Sequence, residues 1–315
     1  MRLSAIDCVT RGVSNLRANW ELVLIQLVQA VACSVIALIG LIIVAVAVGA
    51  SALFKLSDGL DWQRLFTELE RLGELSTSWG LLAIVLAGVM ILAALLGLTY
   101  SWFQAGTFLT LMGGERQAPP QPGIDWRSFR TFSARSFGGW ASQGCWRLFA
   151  FKGLVSLVAF VFFSLMLALA VVLVTWSAVD LDSVGSLVAG CLLLLPIIPI
   201  VVLLYIWSTL GSALLARPEI GVLSAARLAL AFLGRRFGTC LLIVLLFLGA
   251  NFGLGLVFSV LSQGMALVLA QSVGATVSVQ ILLAIAQSLV SSLAAIAFFA
   301  AVVALVRDEL DARAD

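Results

Sequence analysis

Six long apolar runs, near positions 22–50, 81–111, 153–177, 187–214, 239–261 and 277–306, constrain this 315-residue chain more than any other feature. None contains a charged side chain, and the last stops just before Arg307. A helix of about 20 residues crosses the roughly 30 Å hydrocarbon layer of a bilayer. Lipid offers no partner to backbone N–H and C=O groups, so a spanning segment must bond within itself or close into a barrel. Barrel strands alternate lipid-facing and lumen-facing side chains over about ten residues. The run at 81–111 has no such alternation. The expected fold is therefore an all-α integral membrane protein with six transmembrane helices, a single membrane domain over 1–315. Composition agrees. The chain is 62% hydrophobic and 11% charged, against about 45–50% and about 25% in soluble domains. The first run follows a segment with Asp7 and Glu21 and outlasts a signal-peptide core of about 7–15 residues, so it reads as a first span.

Charge orients the spans. Every Lys and Arg except Lys55, Arg64 and Arg71 falls in the N-terminal segment, the loops after the second and fourth runs, or the C-terminal tail. The opposite loops are acidic, with Asp58, Asp61, Glu68, Glu70, Glu74, Asp180 and Asp182. The positive-inside rule then places both termini in the cytoplasm, with 311–315 as a cytoplasmic tail.

The basic segments carry helical periodicity. Ile6, Val9, Val13, Leu16 and Trp20 are spaced to share one helical face. Leu223, Ala226, Leu230, Leu233 and Phe237 repeat that spacing, and Phe129, Phe132, Ser136 and Trp140 approximate it. Such helices either lie at the membrane surface beside anionic head groups or pack on the bundle, and the two arrangements are compatible. On the opposite side, residues 59–79 are a further amphipathic candidate, and the uncharged stretch 262–276 reads as re-entrant, interfacial or partner-binding. The order of amphipathic helix and two spans recurs over 1–112, 113–217 and 218–310, which predicts three repeats of amphipathic helix plus helical hairpin. Tyr100, Trp102 and Gly106 in the first unit match Tyr205, Trp207 and Gly211 in the second. The comparable positions of the third unit are Ala295, Ala297 and Ala301.

Chemistry is sparse. The chain has no histidine, hence neither the commonest metal ligand nor the usual near-neutral base. Its cysteines, Cys8, Cys33, Cys145, Cys191 and Cys240, lack metal-ligand spacing. No cofactor is expected. The candidates for a cavity or ligand-lining surface are Tyr100, Trp102, Gln104, Tyr205, Trp207, Asn251, Gln280 and Gln287, the aromatic pairs being equally suited to anchoring at the interface. Gln280, Gln287 and Ser291 share a helical face. In lipid, such uncharged polar groups bond between helices or line a polar route, at about 0.6–2 kcal/mol each. Pro196 and Pro199 are candidate kink positions in the fourth span.

Six spans, each pair preceded by an amphipathic segment such as residues 6–20 or 221–237, resemble the membrane domain fused to some glycerophosphoryl diester phosphodiesterases. The resemblance implies a bacterial inner-membrane protein. The soluble barrel of the fused proteins and its acidic and histidine metal ligands are absent, so their hydrolytic activity does not carry over. The expected function is non-enzymatic: binding or helping to translocate a lipid-like or amphiphilic small molecule, as a subunit of a larger assembly or alone. A membrane scaffold for partner proteins and a lipid-modifying enzyme are the alternatives. Membrane lipids are the expected partners, with a membrane protein or a second copy of the chain next, and no nucleic acid. A reporter fused to either terminus is expected to be active only in its cytoplasm-specific form. A periplasmic signal from either end overturns the charge argument.

Overall fold

The computed structural model describes residues 3–53, 79–119, 125–177, 196–268 and 273–312. Within them the chain is all-α: α1 Ala5–Ala18, α2 Glu21–Leu53, α3 Trp79–Gln117, a 3-10 turn Trp126–Phe129, α4 Ala134–Ser177, α5 Ile197–Leu215, α6 Val222–Arg235, α7 Phe237–Val268 and α8 Val273–Asp311. Six helices are long and apolar enough to cross a membrane: α2, α3, α4, α5, α7 and α8. The 59–79 candidate falls outside the described residues except at Trp79, which opens α3. The 262–276 stretch is helical up to Val268 and again from Val273, with 269–272 outside the described residues.

The chain forms two compact units, residues 28–100 and the remainder. In the smaller unit Leu92 packs onto Gly40, so α2 and α3 approach closely where a side chain is missing. The larger unit holds a main apolar core drawn from α1, α6 and the ends of the spans, and a small second cluster of Ala18, Ala118 and Phe129.

α1 packs against α8. A Cβ on Gly12 would sit 2.7 Å from the Ala301 nitrogen and 2.8 Å from the Ala297 oxygen, so the two backbones touch there. Small residues permit such approach, and in lipid they replace the hydrophobic drive as the source of helix association. The buried face of α1 is Ala5, Cys8, Arg11, Gly12, Asn15 and Leu16. The face expected from apolar periodicity divides. Leu16 is buried and Val9 packs on the core, while Ile6 (70% exposed), Val13 and Trp20 point away from the protein. α6 behaves alike: Ala225, Ala226, Ala229, Phe232 and Leu233 are buried, and Leu223 (65% exposed), Leu230 and Phe237 are not. Such an outward apolar stripe suits a helix that meets lipid on its outer face.

The two helices also match locally. Each has 14 residues. Their N-caps, Ser4 and Gly221, have φ/ψ of −75/167 and −72/164, and their C-caps, Asn19 and Arg236, have −118/43 and −119/27. Ser4 and Asp7 form a reciprocal capping box, and its hydrogen bonds lower the Asp7 pKa. α4 differs. Its amphipathic start and its span are one unbroken helix, Ala134–Ser177.

The shared Tyr–Trp–Gly pattern has a packing role. Gly106 receives the ring of Phe137, and Trp102 meets that ring edge-on at 5.8 Å. Gly211 receives the ring of Phe151, and Trp207 meets it edge-on at 6.1 Å. Tryptophan and glycine one helical turn apart thus make a notch on α3 and on α5, and each notch takes one phenylalanine of α4.

Polar contacts fasten the end that carries both termini. The Leu3 N–H donates to Asp308 at 3.2 Å, and Arg236 pairs with Asp308 at 2.9 Å and with Glu309 at 3.4 Å. Glu115, at the end of α3, is fully buried; Arg11 donates to its Oε2 from Nε at 3.3 Å and Nη2 at 2.9 Å, with Arg307 at 3.7 Å. Arg11 and Arg307 also donate to the carbonyls of Pro119 and Ala118. The buried Asn19 holds the segment after the 3-10 turn: its Oδ1 accepts from Thr131 and Phe132 N–H, and its Nδ2 donates to Phe129 O at 2.8 Å. Arg130 forks onto Glu21 and donates to Ala18 O.

Gly211→Ala drives a methyl into the Phe151 ring and is expected to cost about 1–3 kcal/mol, the usual penalty of overpacking. Phe151→Leu in the same chain should recover part of the loss in a thermal unfolding scan in detergent. Glu115→Ala strands buried Arg11 and is expected to cost about 3–5 kcal/mol. The double variant Arg11→Met/Glu115→Leu should unfold well above Glu115→Ala. Equal unfolding temperatures would show that the pair carries no buried-charge penalty.

Candidate functional site

A cavity of about 360 Å³ lies between α5, α7 and α8. α5 contributes Val201, Val202 and Tyr205, α8 contributes Ser291, Ala295 and Phe298, and α7 contributes Val244, Phe247, Leu248 and Asn251. Its floor is aromatic. Tyr205 stacks on Phe298 at 5.5 Å and 15°, and Phe247 meets Phe298 edge-on at 5.5 Å. Its polar groups are the Tyr205 phenol, the Asn251 amide and the Ser291 hydroxyl. Asn251 Nδ2 donates to Phe247 O one turn earlier at 2.9 Å. Tyr205, Val201, Leu248, Asn251 and Ser291 are all exposed, so the cavity opens on the outer surface of the helices.

The helices set the depth of each group. With about 1.5 Å of rise per residue, Tyr205 stands about 15 Å from Leu215 and Phe247 about 15 Å from Phe237. Phe298 stands about 13 Å from Arg307 by the same rise. These rings form one level, about 13–15 Å along their helices from the termini-bearing end. Asn251 and Ser291 lie about 6–11 Å farther along their helices.

The residues predicted from sequence distribute unevenly. Tyr205 and Asn251 line the cavity. Gln287 does not, although Ser291, one turn on along the same face, does; Gln280 and Gln287 are exposed on α8. Trp207 is buried and donates from Nε1 to Ala226 O at 3.0 Å, so it joins α5 to α6. Trp102 is half-buried beside Phe103 and Phe137. Gln104 is buried and donates to Gln26 Oε1 at 3.4 Å. Tyr100 belongs to the smaller unit and is 37% exposed. Pro196 caps α5 and Pro199 sits in its first turn, where a proline sacrifices no helical hydrogen bond. The residues before 196 lie outside the described set.

Sequence reasoning missed Phe247 and Phe298, because nothing separates a cavity-lining phenylalanine from any other in an apolar run. It also placed Lys152 at a loop edge. Lys152 lies within α4 and donates to Ser208 of α5 at 2.7 Å. Arg147 of the same helix donates to the carbonyls of Arg217 and Ile220 just past the end of α5. A basic side chain at a helix C-terminus satisfies the last carbonyls and complements the helix dipole.

The site supplies hydrogen bonds and apolar surface. Among the described residues no group of His, Cys, Asp and Glu is arranged to hold a metal ion. Burial, with the carboxylates of Asp308 and Glu115 nearby, pushes the Cys8 thiol up to about 12, which leaves it a poor nucleophile. No family model, curated protein or solved structure matches the chain.

Proposed function

We propose that the protein is a non-enzymatic component of a bacterial cytoplasmic membrane, both termini inside, that binds or helps translocate a lipid-like amphiphile. The observation carrying this reading is the cavity between α5, α7 and α8, apolar, aromatic-floored and open at spanning depth. Its volume lies at the small end of the roughly 300–1,000 Å³ typical of ligand sites. That suits a segment of a lipid rather than a whole one. The matched geometry of α1 and α6, and the Phe-filled notches of α3 and α5, support a reading of the chain as three related units. The resemblance to the membrane domain of the fused phosphodiesterases belongs to the same proposal and rests on the six spans.

A scaffold role is the second reading. It is favoured by Gln104, which is spent on Gln26 inside the bundle rather than offered to a ligand. Purification in native-lipid particles, followed by mass spectrometry of whatever accompanies the protein, separates the two. A stoichiometric lipid or small molecule, reduced at least fivefold by Tyr205→Ala/Asn251→Ala, is the expected result. A stoichiometric protein with no enriched small molecule would favour the scaffold and remove the ligand-binding reading.

A further inference from the structure

Among the described residues that line the cavity none carries a charge at neutral pH. Its hydrogen-bonding groups, Tyr205, Asn251 and Ser291, sit about 15 Å or more along their helices from the termini-bearing end, a rise equal to about half the thickness of a hydrocarbon layer. The cation closest to the cavity along α5 is Lys152 of α4, which donates to Ser208 about one turn from Tyr205 toward the termini-bearing end, and Arg227 and Arg235 lie on α6, before α7 begins. An ionised head group brought to Asn251 would lose its water and meet no counter-charge among the residues lining the cavity, at a cost of several kcal/mol or more. A neutral oxygen function meets no such penalty. A hydroxyl, ester or ketone can accept from the Tyr205 phenol or the Asn251 amide, and a hydroxyl can also donate to the amide oxygen. The exposed lining places the entrance on the outer surface of the helices, along their length rather than at their ends.

Resting on the ligand-binding reading, we infer that the cavity between α5, α7 and α8 selects an uncharged, oxygen-bearing lipid that enters sideways from the bilayer, and excludes phosphate-bearing lipids from the same place. The apolar walls take the chain. Tyr205, Asn251 and Ser291 take the neutral oxygen group. Trp207, Gln104 and the ionic contacts at the termini are not part of this recognition.

The test uses two photoactivatable probes with identical diazirine-bearing chains, a diacylglycerol and a phosphatidic acid, added separately to the full-length protein in lipid nanodiscs. Cross-linked peptides are then mapped by mass spectrometry. The diacylglycerol probe is expected to label the stretches around Tyr205, Phe247 and Ser291 at least fivefold more than the phosphatidic acid probe. Asn251→Leu/Ser291→Ala should cut that labelling severalfold, and Tyr205→Phe, which removes only a hydroxyl, should cut it to a smaller extent. Asn251 and Ser291 are exposed, so these variants are expected to remain folded, checked by an unchanged unfolding temperature. Equal or stronger labelling of the same stretches by the phosphatidic acid probe overturns the selection for neutral lipids and leaves the ligand-binding reading intact. Labelling of those stretches by neither probe overturns both.

Discussion

The contact between α1 and α8 is the constraint on which the larger unit depends. Gly12 brings the backbone of α1 onto Ala297 and Ala301. That approach puts Arg11 within reach of Glu115 and Leu3 within reach of Asp308 and Arg236. These charges could not be buried singly. Burying an isolated charge costs far more than any packing gain returns, whereas a paired and hydrogen-bonded one is tolerated. The first and last helices are therefore joined through polar groups near the ends of α3 and α7.

α1 and α6 show how a bilayer changes the meaning of amphipathic periodicity. In water, the apolar stripe of a surface helix faces the protein. Here the stripe divides. The members that recur every seven residues, Ile6 and Val13 on α1 with Trp20 just past its end, and Leu223 and Leu230 on α6 with Phe237 at the start of α7, are exposed. Small and polar residues such as Gly12, Asn15, Ala225 and Ala229 make the protein contact. An apolar stripe on the outside and a small-residue face on the inside suit a helix with lipid on one side and protein on the other. Several basic residues counted in the loops are also used within the protein. Arg11, Arg130, Arg147, Arg236 and Arg307 bond to carboxylates or carbonyls rather than standing free.

The aromatic residues divide by the same logic. Trp102 and Trp207 belong to notches that seat Phe137 and Phe151, so their rings serve helix packing. Tyr205, two residues before Trp207 and on another face of α5, stacks on Phe298 and borders the cavity. One short motif thus supplies both a structural fastening and a cavity-lining group, because successive positions on a helix point about 100° apart.

The apolar runs alone determined that the described chain is helical and long enough to span a membrane, since no other arrangement satisfies the backbone of such a run in lipid. The apolar periodicity marked α1 and α6 as helices but not the 3-10 turn and extended segment that carry Phe129 and Phe132, and Tyr205 and Asn251 were two of the eight cavity candidates. Which face of α1 is buried, which tryptophans pack and where the cavity lies were decided by the tertiary structure. The physical reason is the sameness of the environment. When lipid and core are equally apolar, hydrophobicity no longer separates inside from outside. Steric fit at Gly12, Gly106 and Gly211, together with the pairing of a few buried charges, then sets which side chains meet.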